Sequence, residues 1–282
     1  MKKILFISIL TIFLSGCINT VYRPPQLRVV NNEVYEWDYD KSTALNLVSA
    51  IYDDHRMRDS DRPKGQAFSE TAAGRNTIDA LNFAAFGFTG LLLSSGGGKD
   101  WYRSEYIWLE EKESELPSKS YHEVIKDFVQ KLDTSLKGTD KLRVKTFNIY
   151  NMLYDHSDAT SVYFEGELCE ASTVAFDGAM RNQKLAEKVW VGPKELSGTV
   201  CGMSTHVGEI HPIKKDGKEY WVYHIHVNGI DQIIRKELFN QAPYFDGYVA
   251  FPVKWITLDN GKPSFPVVFE GTKAHYFIKP EA

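Results

Sequence analysis

Apolar residues recur at helical spacing in two stretches of the first half of the chain. In residues 41–57, Leu45, Leu47, Val48, Ile51 and Tyr52 follow a Ser42 cap. From Ser118 to Leu136, Tyr121, Ile125, Phe128, Val129 and Leu132 form one stripe, so each stretch predicts an amphipathic helix. Past Leu142 the period falls to two: Val144, Phe147 and Ile149, then Val162, Phe164 and Leu168, and later Val189, Val191 and Val200. That alternation predicts strands. Asp216-Gly217 and Asn260-Gly261 each sit between two such runs and predict hairpins, while Pro263 and Pro266 confine the last strand to a sheet edge. A short helix is expected over Ile230–Phe239. The fold class is therefore α+β, with a helical N-terminal half over residues 31–140 packed on a mainly antiparallel sheet from residues 141–282, as two regions or one domain.

Two segments break the pattern. Ala80–Gly98 carries no charge, and Ile78, Leu81, Ala85, Phe88 and Leu92 step by three and four. It reads either as a core helix ending at a glycine run or as a segment entering a membrane or a partner. Asn82, Thr89 and two internal glycines favour the core. Gly96-Gly97-Gly98-Lys99 lacks the earlier glycine and the following Ser or Thr of a phosphate loop. Trp101–Trp108 is dense in aromatics, which suits packing better than a sugar platform.

The first residues carry an address. Met1-Lys2-Lys3 precedes the apolar run Ile4–Leu14, which as a helix would rise about 16 Å and fall short of the ~30 Å core of a bilayer. A basic start, a short apolar run and small residues before a cleavage point make a signal peptide over residues 1–16. Leu14-Ser15-Gly16-Cys17 resembles the lipobox of bacterial lipoproteins, a resemblance that covers only these first 17 residues. It implies cleavage between Gly16 and Cys17, lipid on Cys17, and, with Ile18 rather than Asp next, sorting to the outer membrane. Residues 17–30, with Arg23-Pro24-Pro25, then read as a lipidated tether.

Cleavage would remove Lys2 and Lys3 and no carboxylate, moving the net charge from −4 to about −6. An acidic balance argues against nucleic acid as a partner. Cys169 and Cys201 remain as an even pair, which outside the cytoplasm predicts a disulfide. Gly198-Thr-Val-Cys201-Gly202 sets the cysteine one position late for a nucleophile elbow.

With a two-residue turn at Asp216-Gly217, His211 falls opposite Val222, Glu209 opposite His224, and Val207 opposite His226. Glu209, His211, His224 and His226 then share a wet face, with Trp221 and Tyr223 on the core face. Three imidazoles and a carboxylate at cross-strand spacing are donors for Zn²⁺ or Cu²⁺. No catalytic residue stands out elsewhere. The expected function is a non-enzymatic, protein-binding component of an envelope assembly. The alternatives are a metal-dependent hydrolase using the His-rich hairpin and a periplasmic immunity or inhibitor lipoprotein.

Overall fold

A computed structural model of the chain describes residues 26–30, 34–52, 58–59, 104–151, 158–171, 201–228, 230, 232–251 and 266–280. In chain order these give β1 (Tyr35–Glu36), α1 (Thr43–Tyr52), β2 (Ser104–Glu111), α2 (Tyr121–Leu136), β3 (Arg143–Asn151), β4 (Asp158–Glu165), α3 (Glu167–Ala171), β5 (Cys201–Val207), β6 (His211–Lys215), β7 (Lys218–Asn228), α4 (Gln232–Gln241), β8 (Tyr248–Phe251), β9 (Val267–Glu270) and β10 (Lys273–His275). The signal peptide, Cys17, Ala80–Gly98 and the Asn260-Gly261 turn lie outside the described residues, as do Val189, Val191 and Val200.

The strands form one sheet in the order β10-β9-β8-β2-β7-β5-β4-β3, all neighbours antiparallel. β6 joins β7 on the edge that β5 also uses, and the short β1 lies parallel to β6. Of the expected helices at 41–57 and 118–136, the described residues show α1 over Thr43–Tyr52 and α2 over Tyr121–Leu136, and each is capped. The Ser42 hydroxyl accepts from the Leu45 amide at 3.0 Å. Ser120 and Glu123 close a reciprocal capping box at the start of α2.

The expectation of a helical first half needs correction at β2. Its residues Tyr106, Ile107 and Trp108 are buried, and β2 lies inside the sheet between β7 and β8. A strand covered on both faces shows a continuous apolar run instead of alternation, which hides it from a period-two reading. Tyr106 and Trp108 pack on the α2 side, so these two aromatics belong to the core, as expected of this stretch, while Trp101 lies outside the described residues. β9 is likewise no edge strand: Pro266 precedes it, and β8 and β10 pair on either side.

Helices cover both faces. On one, Val124, Ile125, Phe128 and Leu132 of α2 and Ile234 and Leu238 of α4 pack over Tyr106, Tyr223, Ile225 and Phe251. On the other, Leu45, Leu47, Val48 and Ile51 of α1 pack over Ile107, Val222, Ala250 and Val268. No helix among the described residues is long and apolar enough to cross a membrane.

Cys169 in α3 is bonded to Cys201, the first residue of β5, with Cα atoms 5.1 Å apart and both residues buried. The bond engages the Cys201 thiol and ties α3 to the strand beside β4. A cross-link spanning 32 residues is expected to contribute about 3–4 kcal/mol on the chain-entropy estimate. The Cys169→Ser, Cys201→Ser double variant should therefore lose about that much in urea unfolding. Alkylation of two thiols in protein purified without reductant would contradict the bond.

Candidate functional site

The Asp216-Gly217 turn forms as expected. Asp216 has φ 53° and Gly217 φ 77°, the left-handed pair that a tight hairpin turn requires. Lys215 faces Lys218 and His211 faces Val222. Beyond that point the expected pairing fails, because Val207 faces Ile225 and His206 faces His226. Three residues, Gly208 to Ile210, span the distance that Tyr223 and His224 cover on β7. This extra residue shifts the register by one.

Glu209 consequently turns its side chain to solvent and offers its backbone carbonyl instead, which accepts from His224 Nε2 at 2.9 Å. His206 takes the place beside His226. His211 stays on the histidine face, its ring centroid 6.2 Å from that of His224. Of the four expected donors, then, only His224 and His226 converge, their rings 4.8 Å apart at 89°.

The carboxylate that meets them is Glu105, from β2, directly across from His226. It is completely buried, 0% exposed, and His224 is 2% exposed. His226 Nδ1 donates to Glu105 Oε1 at 2.5 Å, and His224 Nδ1 lies 3.3 Å from Oε2. The Tyr52 hydroxyl, from the last residue of α1, donates to Oε1 as well. The face expected to be wet is therefore roofed by α1, because the apolar side of α1 needs a surface to bury against. Farther along the same face the pairing continues as a polar row, Asn148, Ser161, Ser204 and Asn228, of which Asn148 and Ser161 are fully buried.

Burial by itself would push the Glu105 carboxyl up. Attraction to His226 and hydrogen bonds from both histidines outweigh burial and hold it down at about 2. For His224 burial wins: it lowers the ring's pKa below the usual histidine range despite the nearby carboxylate. The cluster is thus an ionised carboxylate held between two imidazoles in the interior. Its ligand-type atoms, one each from Glu105, His224 and His226, lie within 4.8 Å of one another, a grouping that could hold a metal ion.

Glycine at position 208 is what lets His224 sit there. A Cβ on Gly208 would lie 2.0 Å from His224 Cε1 and 2.2 Å from Nε2. Glu105 escaped the sequence reading because it pairs across the sheet with residues 119 and 121 positions away. Its one local signal is a lone acid entering the apolar run Tyr106–Leu109.

Comparison of the chain with protein-family models, with curated proteins and with solved structures finds no match.

Proposed function

We propose that this chain is an outer-membrane lipoprotein, held by lipid on Cys17, whose exported domain serves as a protein-binding component of an envelope assembly. The observation that carries the reading is the Leu14-Ser15-Gly16-Cys17 tetrad after a short apolar run. The bond between Cys169 and Cys201 supports it, since disulfides persist in oxidising compartments. The interior position of the Glu105 cluster favours binding over turnover: Tyr52 and both histidines already surround the carboxylate. A second reading, a metal-dependent hydrolase, draws on one observation, the two-imidazole, one-carboxylate donor set for Zn²⁺ or Cu²⁺.

The test is Cys17→Ser in the native host, read by palmitate labelling, membrane flotation and in-cell crosslinking. Labelling and flotation are expected to be lost, and defined crosslinks to envelope proteins to disappear with them. An unlipidated chain that still floats would move the anchor to another segment. A wild-type chain that forms no crosslinks would refute the assembly role.

A further inference from the structure

We propose that Glu105, His224 and His226 bind one divalent transition-metal ion, Zn²⁺ or Cu²⁺, through Nδ1 of each histidine and a carboxylate oxygen. The site stands with or without turnover, and it differs from the hairpin face read from the sequence in both its carboxylate and its location.

Three observations point to a cation here. The first is convergence: donor atoms of the three side chains lie within 4.8 Å of one another, in a buried position built by two central strands.

The second is the orientation of the His224 ring. A carbonyl oxygen only accepts, so the 2.9 Å contact with Glu209 places a proton on Nε2. That bond turns Nδ1 inward, 3.3 Å from Glu105 Oε2. A nitrogen and a carboxylate oxygen thus point at one buried spot, where a cation can take both as ligands. Metal-bound histidines characteristically donate their other ring N–H to a backbone carbonyl or carboxylate, which fixes the ring as His224 is fixed.

The third is spacing. Ligands on a tetrahedral Zn²⁺ with bonds of ~2.0–2.1 Å stand about 3.3–3.4 Å apart, and His224 Nδ1 and Glu105 Oε2 are at 3.3 Å. His226 Nδ1 reaches Oε1 through a 2.5 Å hydrogen bond, so an incoming ion takes the place of that proton and the neutral ring that binds it carries its hydrogen on Nε2, any excess proton passing to solvent. His226 has an exposed edge, 17% of its side chain, by which the ion and the proton can pass. Tyr52, bonded to Oε1, is a positioning residue that keeps Oε2 turned toward His224. Two imidazoles select borderline metals over Ca²⁺ and Mg²⁺, which prefer all-oxygen shells.

The experiment uses the full acylated chain, purified without a histidine tag or chelators in detergent and dialysed after adding one equivalent of Zn²⁺, Cu²⁺ or Co²⁺. About one ion per chain should be retained, with the visible absorption of tetrahedral Co²⁺ and a rise in the thermal midpoint on Zn²⁺ addition. His226→Asn should weaken binding by at least about 100-fold, by loss of a direct ligand where even outer partners cost 10–100-fold. His206→Asn, on the neighbouring strand, should change it by less than about 3-fold. Folded wild-type protein that retains no ion and gains no thermal stability would overturn the site. Metal loss that follows His206→Asn instead of His226→Asn would also overturn it, by assigning the ion to the sheet surface.

Discussion

Replacing Glu105 with alanine is expected to destabilise the metal-free protein by about 3–5 kcal/mol, the usual cost of removing one partner from a buried charged network. The carboxylate receives hydrogen bonds from His226 and Tyr52 and faces His224, and all of these lie in or at the edge of the interior. With the acid gone, His226 and Tyr52 lose their shared acceptor at a position that is fully buried in the intact protein. The effect also depends on pH in a definite direction. Because the folded carboxyl is lowered from 4.5 to about 2, its contribution is complete above about pH 4.5 and is lost as the pH falls toward 2. The gap between wild type and Glu105→Ala in urea unfolding should therefore be widest near neutrality and narrow on acidification. A gap that stayed constant from pH 7 to pH 3 would mean that the ionised carboxylate contributes nothing.

Gly208→Ala is expected to cost about 3 kcal/mol, at the upper end of the range for overpacking. The new Cβ would stand 2.0 Å from His224 Cε1, far inside van der Waals contact. The backbone there has little room to yield, because the Gly208 amide donates to the His224 carbonyl at 2.9 Å. The ring must leave its place, and with it goes the bond to Glu209. A double-mutant cycle with His224→Ala isolates the contact. Once the ring is removed, the alanine meets little resistance, so the double variant should be less destabilised than the sum of the singles by about 2 kcal/mol. Additive losses, within about 0.5 kcal/mol, would show that Gly208 and His224 do not meet.

Much of the fold was legible in local pattern. α1 and α2 follow from apolar stripes at three- and four-residue spacing, and the β6–β7 hairpin from Asp216-Gly217, because short-range periodicity and turn chemistry are properties of neighbouring residues. The disulfide was legible as well, since only two cysteines remain after Cys17.

The site was only half legible, and the two halves differ in kind. His224 and His226 share a face because strand geometry puts alternate residues on one side, which the sequence dictates wherever the strand is recognised. Glu209 dropped out because one extra residue at 208–210 shifted the register, and pairing beyond a turn is settled by how both strands pack, not by counting outward from the turn. Glu105 came in from β2, more than a hundred positions away, because the sheet order sets β2 against β7. The burial of the cluster was decided later still, when α1 covered that face and brought Tyr52 to the carboxylate. Periodicity and turns determined which elements form and which residues each one presents. Only the tertiary structure decided which of those faces meet, because that choice rests on burying apolar surface between segments distant in the chain.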